Sequence, residues 1–190
     1  GMLARQTWAY FETFVNAQEN WLPPDNVQEG RADAVAGRTS PTNIGLALLA
    51  NLAAHDFGYL ATAGLLQRTQ DSLATLEGME RYRGHFYNWY DTRSLRPLTP
   101  RYVSSVDSGN LAVYLLTLRT GLLGLADQPA SPLHAVEGVR DAFAVLVSCA
   151  PHSRPEHAAF AAVLDALHTP AKPTLAAWHD RLHQLRAAAA

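Results

Sequence analysis

The residues between Gly84 and Leu111 mix flat aromatic rings with carboxylates and amides at close spacing. Such a mixture suits a sugar, because the apolar faces of a pyranose stack on rings while its hydroxyl groups need paired donors and acceptors. The members of this segment that could contact a sugar are Tyr87, Trp89, Asp91, Asp107 and Asn110. We interpret the segment as part of a carbohydrate groove. The alternative is a buried loop whose tyrosine and tryptophan tips bond to the backbone.

Two shorter segments repeat the same composition. The residues from Trp21 to Glu29 combine a ring, two prolines, carboxylates and amides, and the residues from Arg38 to Asn43 are similar but lack the ring. The candidate sugar contacts in these two segments are Trp21, Asp25, Asn26 and Asn43. All three segments fall where helices are expected to begin or end, so we expect their candidate residues to cluster on one face.

The carboxylates in these segments also have structural interpretations. Asp107 stands where it can cap the helix that follows, and Asp91 can pair with the nearby Arg93. Asp25 follows two prolines whose backbone is fixed, which makes it the best placed of the carboxylates to bind a ligand. We assign no catalytic residue. A complete small glycosidase would have to use Asp25 or Glu29 together with Asp91 or Asp107.

Composition excludes several classes of function. The 190 residues are 48% hydrophobic and 17% charged with a net charge of −2, which leaves no positive field to attract nucleic acid or an anionic membrane. The single cysteine, Cys149, excludes an internal disulfide, and its apolar surroundings predict a buried thiol. The eight histidines follow no metal-binding pattern, so we expect neither a metal nor a cofactor. No apolar run approaches the roughly 20 residues of a membrane span, so a soluble, cytoplasmic chain is expected.

The spacing of apolar residues predicts an all-α fold. These residues recur every three or four positions, and no segment alternates as a strand does. About seven helices are predicted, from about Leu3 to Gln18, Ser40 to Gly58, Thr62 to Arg81, Asp107 to Gly121 or Gly124, Ser131 to Cys149, Ser153 to Leu167 and Thr174 to Arg186. Residues 1–128 carry the polar loops, and residues 129–190 are interpreted as an Ala-rich helical continuation of the same domain.

A weak internal repeat organises the first part of the chain. The residues Thr39 to Ala47 align with Ser104 to Ala112 at a constant offset of 65, and both begin with hydroxyl residues and end with Leu-Ala. We interpret each unit as an inner helix, a return helix and a long polar loop, as in an α/α toroid whose inner helices start on one face. The N–H groups at those helix starts have no partner within the helix and could bind hydroxyl or carboxylate groups.

Five runs of sequence resemble the middle, glycoamylase-like region of bacterial cyclic β-1,2-glucan synthases. These runs are Trp21–Asn26, Arg38–Gly45, Gly84–Arg93, Leu95–Leu98 and Tyr102–Leu111. The similarity extends from about Leu3 to Leu125, and the residues after about Gln128 share only their Ala-rich helical character. The resemblance implies an incomplete α/α toroid that acts on β-1,2-glucan. It also implies a parent enzyme, associated with the inner membrane, that cyclises the glucan by transglycosylation.

That reaction requires a nucleophilic carboxylate and an acid/base carboxylate about 5 Å apart. The glutamate motifs of the family, Met-Phe-Glu-Tyr and Ser-Glu-Ser, do not occur in these 190 residues. The resemblance therefore implies a substrate-binding part that is inactive alone. A small complete glycosidase and a non-catalytic helical interaction module are the alternatives.

The expected partners follow from this interpretation. They are a β-glucan oligosaccharide and the remaining domains of the parent enzyme. An incomplete toroid also exposes apolar flanks on its open side. We expect these flanks to be covered by a two-fold homodimer, or by the C-terminal helices folding back over them.

Overall fold

The computed structural model describes residues 1–31, 34–127, 132–150, 155–167 and 175–188, and these residues confirm the predicted all-α class. Its elements in chain order are α1 (Met2–Phe14), a 3-10 turn (Ala17–Glu19), β1 (Arg38–Thr39), α2 (Pro41–Asp56), α3 (Thr62–Gly78), β2 (Arg81–Tyr82), β3 (His85–Phe86), β4 (Tyr90–Asp91), α4 (Ser105–Ala126), α5 (Pro132–Cys149), α6 (Pro155–Leu167) and α7 (Leu175–Ala188). Among these described residues, β1 pairs with β4 and β2 pairs with β3, both antiparallel. Three residues predicted to start helices, Ser131, Ser153 and Thr174, lie outside the described residues.

Helix α1 ends earlier than the sequence predicts. The expected end was near Gln18, with the following Trp-Leu-Pro-Pro segment as the stop, whereas the helix ends at Phe14. The reason is Asn16, whose side-chain oxygen accepts hydrogen bonds from the backbone N–H groups of Gln18 and Glu19 at 3.0 and 3.3 Å. An asparagine that caps in this way starts a new turn, because it satisfies N–H groups that would otherwise bond back into the helix.

The described chain divides into two compact units. Unit 1 comprises Gly1–Gln6, Phe57–Tyr59 and Ala130–Ala190, and unit 2 comprises Thr7–Asp56 and Leu60–Pro129. The core of unit 1 is formed by Val136, Leu164, Leu167, Trp178 and Leu185. The core of unit 2 is formed by Leu22, Ile44, Leu48, Leu76, Met79, Tyr90 and Leu118. All the candidate sugar contacts lie in unit 2.

The prediction that Cys149 is buried is wrong. Within unit 1, Phe143 packs against the core, while Leu146 and Cys149 are exposed. The run from Phe143 to Cys149 is apolar on every side of the helix, but only one side faces the other helices of the unit. Continuous apolarity therefore does not show which face of a helix is buried.

Helices α2 and α4 of unit 2 run parallel and side by side. A Cβ atom placed on Gly45 would lie 2.5 Å from Cδ2 of Tyr114, and one on Gly121 would lie 2.3 Å from Cδ2 of Leu52. Both contacts join residues 69 positions apart, so the two helices advance in the same direction. Their N-termini therefore lie at the same end. Ser40 and Ser104 cap them, accepting from the N–H groups three residues later at 3.2 and 3.1 Å.

This close approach depends on glycine at position 45. We expect Gly45→Ala to lower the free energy of unfolding of unit 2 by about 1–3 kcal/mol, because the new methyl group overlaps the rigid ring of Tyr114. The matched control is Gly124→Ala on α4, where a Cβ meets nothing within 4 Å. There we expect stabilisation of up to about 1 kcal/mol. Urea unfolding followed by circular dichroism measures both. Equal changes in the two variants would contradict this packing.

Candidate carbohydrate-binding site

Asp107 joins the starts of the two parallel helices. It lies in the first turn of α4, where the side chains of Ser104, Thr42 and Ser40 and the backbone N–H of Thr42 lie within hydrogen-bonding reach of its carboxylate. Partial burial alone would raise the pKa of this carboxyl, but the hydrogen bonds outweigh it and hold the pKa below the usual value. Nearby, the amide of Asn110 donates to the hydroxyl of Thr42 at 3.0 Å. Asp107 and Asn110 thus link α4 to the first turn of α2.

The lowered pKa makes the contribution of Asp107 to stability depend on pH. A folded-state pKa below the ordinary 3.8 means that the contribution is complete above that pH and is lost as the pH falls through the folded pKa. We expect Asp107→Asn to lower the free energy of unfolding by about 1–2 kcal/mol at neutral pH, and much less near pH 3. Urea unfolding at both pH values measures the gap. The control is Asp56→Asn, at an exposed carboxylate. A loss of unfolding free energy on Asp107→Asn that is the same at both pH values would contradict this role.

Asn88 connects Asp107 to the tryptophan ring. The side-chain amide is assigned the orientation that satisfies all its neighbours, in which its nitrogen donates to Oδ2 of Asp107 at 2.9 Å. Its amide oxygen accepts from the hydroxyl of Tyr102 and from the indole N–H of Trp89, both at 2.8 Å. Asn88 is buried, and its backbone N–H donates to the carbonyl oxygen of Tyr102 at 2.8 Å. The edge of the Trp89 ring is therefore held in place, which reduces the entropy that a ligand would lose in ordering it.

On its face, Trp89 meets a second polar group. The guanidinium of Arg38 lies 4.6 Å from the ring centroid, within the range of a cation–π contact. The same guanidinium donates to Oδ2 of Asp25 at 2.9 and 3.2 Å. Asp25 also accepts from the amides of Asn26 and Asn43, at 3.1 and 3.3 Å. Asp25 thus has four donors around its two oxygens, and it holds Arg38 against the ring.

These contacts connect most of the predicted residues into one network. We call it the Trp89 cluster, and its members are Asp25, Asn26, Arg38, Asn43, Asn88, Trp89, Asp107 and Asn110. Sequence reasoning did not select Arg38 and Asn88 as sugar contacts. The available signal was their position, because Arg38 opens the second polar segment and Asn88 lies between two aromatic residues.

The other three predicted residues have contacts outside the cluster. The Trp21 ring packs on the guanidinium of Arg68, 5.5 Å from the ring centroid. Tyr87 packs against the core of unit 2, and its backbone N–H donates to the hydroxyl of Tyr90 at 2.7 Å. Asp91 accepts from the backbone N–H groups of Ser94 and Arg93 at 2.7 and 3.2 Å, and from the Ser94 hydroxyl at 2.8 Å.

Asp91 therefore holds a local turn. The bond from the Ser94 backbone is the largest cause that lowers the pKa of its carboxyl, and partial burial opposes it. All three bonds go to Oδ1, so Oδ2 keeps its accepting positions, and the sugar contact of Asp91 stays a prediction.

A separate surface cleft of about 520 Å³ contains none of the predicted residues. It is lined by Phe14, Asn16, Gln18, Glu19, Val35 and Arg93. Glu19 is buried there, accepts from Nε of Arg93 at 2.7 Å and accepts from the hydroxyl of Thr92. Its carboxylate is already paired, so we do not place the sugar in this cleft.

In the part of the chain that the structure describes, no group of three or more His, Cys, Asp or Glu side chains could hold a metal ion. The expectation that no apolar run approaches a membrane span is wrong for one described helix: α4 is long and apolar enough by length and composition, a test that core helices of soluble proteins also pass. Only 11% of its most apolar window is buried.

Comparison with known proteins finds a similar sequence. Over 145 residues, 76% of the chain, the sequence is 46% identical to the cyclic β-(1,2)-glucan synthase NdvB of Rhizobium meliloti (strain 1021). The chain spans 5% of the length of that protein. No family model matches the chain.

Solved structures identify the fold. A candidate glucoamylase from Bacteroides fragilis NCTC 9343 matches with a TM-score of 0.54 at 20% identity, over 76% of this chain and 33% of the other. An endo-β-1,2-glucanase from Chitinophaga pinensis, in complex with sophorotriose and glucose, matches with a TM-score of 0.54 at 17% identity, over 75% of this chain and 35% of the other. The chain is therefore similar in sequence to a short segment of a cyclic β-(1,2)-glucan synthase, and its all-α fold is similar to part of these two solved structures.

Proposed function

We propose that the Trp89 cluster binds glucose units of a β-1,2-linked glucan, and that this chain supplies substrate binding rather than bond cleavage. The observation that carries the proposal is the fixed Trp89 ring, held at its edge by Asn88 and on its face by Arg38, beside the starts of two parallel helices. The identity to a cyclic β-(1,2)-glucan synthase supports the choice of glucan.

The polar members of the cluster suit sugar hydroxyl groups. An amide can make up to four hydrogen bonds, and the nitrogens of Asn43 and Asn110 each donate to another side chain in unit 2, at 3.3 and 3.0 Å. Both residues are partly exposed, so the hydroxyl groups of a sugar can reach the hydrogen-bonding positions that these amides have left. A pyranose stacked on a ring needs such paired donors and acceptors for its hydroxyl groups.

The carboxylates of the cluster do not suit cleavage. A glycosidase needs one carboxyl whose pKa is raised, so that it stays protonated as a general acid. The pKa of Asp107 is instead lowered, and Asp25 is held by Arg38 and two amides. We therefore propose that the chemistry in a full-length synthase is performed by residues outside this chain. The remaining domains of that synthase are the proposed partner, on the cytoplasmic side of the inner membrane.

A paired assay tests the proposal. The isolated chain is titrated by calorimetry with linear β-1,2-gluco-oligosaccharides, and the same mixtures are analysed for products, with β-1,3- and β-1,4-linked oligosaccharides as controls. We expect binding of the β-1,2-linked glucan and no product. Product formation would favour a small complete glycosidase. Neither binding nor product would favour a helical interaction module.

A further inference from the structure

The outer face of α4 carries a regular apolar stripe. Its large members are strongly exposed, with Val106 at 69%, Val113 at 58%, Leu116 at 65% and Leu123 at 56%. Between them lie two smaller exposed residues, Gly109 and Thr120. We call these six residues the α4 seam. Leu111 and Leu118, on the other side of the helix, are buried.

The spacing of the seam is that of a coiled-coil interface. The six positions are separated by three, four, three, four and three residues, which is the a/d pattern of a heptad repeat. The hydroxyl of Thr120 donates to the carbonyl oxygen of Leu116 at 3.0 Å, so its hydrogen-bonding need is met within the helix. The seam therefore presents apolar groups along its length, and a contiguous exposed apolar surface of this kind marks an interaction site.

We propose that the α4 seam is the docking surface for α4 of a second copy of this chain, in antiparallel orientation. We align the two antiparallel helices so that Val106 lies opposite Leu123 of the second copy, Gly109 opposite its Thr120, and Val113 opposite its Leu116. Each such opposed pair is one layer of the interface. Each layer combines a smaller and a larger residue, and the seam is complementary to itself. In the parallel register, Gly109 would face Gly109 and leave a gap.

Charge also permits this pairing. The positions that flank the seam are Ser105, Asn110, Ala112, Thr117, Arg119, Gly124 and Ala126. Arg119 is the one charged residue among them, and in the antiparallel register it lies beside Ala112 of the second copy. No like charges oppose each other, and the two helix dipoles run in opposite directions. The proposal does not rest on glucan binding.

The expected affinity is modest. One pair of helices buries less than the roughly 1,600 Å² of a standard interface, so a dissociation constant in the micromolar range is expected. Sedimentation over a roughly hundred-fold concentration range should show a reversible monomer–dimer equilibrium. A wild-type chain that stays monomeric throughout would overturn the proposal. Binding to neutral phospholipid vesicles without dimer formation would also overturn it, in favour of a membrane surface.

Charge variants test the register. Leu116→Glu at the centre of the seam should weaken the dimer at least about ten-fold, because each new carboxylate is buried against Val113 of the other copy. The fold should survive, since Leu116 is exposed. The double variant Val113→Lys/Leu116→Glu should restore association, because opposite charges face each other only in the antiparallel register.

The control is Leu66→Glu, at another exposed leucine of unit 2, on α3. It should leave the dimer unchanged. The proposal fails if Leu66→Glu weakens association as much as Leu116→Glu does, or if the double variant is as dissociated as Leu116→Glu alone. Circular dichroism of each variant, compared with wild type, checks that the fold is retained.

Discussion

Replacement of Arg68 by alanine should lower the free energy of unfolding of unit 2 by about 3 kcal/mol. Its guanidinium donates to the carbonyl oxygens of Phe11 and Val15, at 2.9 and 3.0 Å, near the end of α1. It also donates to the amide oxygen of Asn51 on α2 at 3.2 Å. Removing the side chain takes this donor from the carbonyl of Val15 and the amide of Asn51, whereas the carbonyl of Phe11 still accepts from the N–H of Val15. A partly buried acceptor that loses its partner costs stability.

Two tryptophan rings enclose the same guanidinium. Trp8 and Trp21 lie 5.2 and 5.5 Å from it, so alanine would also open a cavity between the rings. Burial lowers the pKa of Arg68, and the charge of Glu12 opposes that effect. Arg68→Lys should lower the free energy of unfolding measurably, but by less than Arg68→Ala does. Lysine keeps the positive charge but lacks the planar set of hydrogen-bond donors of the guanidinium.

Urea unfolding, followed by tryptophan fluorescence, measures these differences. The control is Arg101→Ala, which removes an exposed ion pair with Glu80 and should change the free energy of unfolding by less than about 1 kcal/mol. If Arg68→Ala costs no more than Arg101→Ala, the guanidinium does not hold α1 in place.

Trp89→Ala should weaken the binding of a linear β-1,2-gluco-oligosaccharide at least about five-fold, which corresponds to roughly 1 kcal/mol. The loss follows from removing the flat surface on which a pyranose would stack. Trp89→Phe should retain part of the affinity, because a smaller ring still offers a face but no indole N–H for Asn88. Calorimetric titration of wild type and variants measures the dissociation constants.

The matched control for this prediction is Tyr82→Ala. Tyr82 is an exposed ring outside the Trp89 cluster, and its removal should leave the affinity unchanged. Urea unfolding of each variant separates lost binding from lost folding. An affinity of Trp89→Ala equal to that of wild type would show that stacking is not the role of this residue.

The sequence predicted the helices well because their signals are local. The start of α2 at Pro41 follows from a capping serine and a proline, and the period of apolar residues is visible without any tertiary information. The local repeat also predicted that two helix starts lie together, and Ser40 and Ser104 do cap parallel neighbours. The early end of α1 was missed because Asn16 was not recognised as a cap.

The side-chain contacts of the site were harder to predict because they depend on distant partners. Trp21 has the composition of a sugar contact, but Arg68, far along the chain, packs against it. Asp107 was expected to cap its own helix or to bind sugar, and the sequence did not show that the start of α2 lies beside its carboxylate as well. Arg38 was not selected, because only the fold brings it over the ring of Trp89. Residue type and spacing give no information about such pairings.

The chain contains four tryptophans, and this allows a direct test of the proposed site. Each indole N–H gives its own signal in a nitrogen–proton correlation spectrum, and the signals can be assigned by replacing one tryptophan at a time with phenylalanine. On titration with a linear β-1,2-gluco-oligosaccharide, the Trp89 signal should shift progressively, while those of Trp8, Trp21 and Trp178 should stay in place. Saturable shifts at Trp21 with none at Trp89, or no saturable shift at any indole, would contradict glucan binding by the Trp89 cluster.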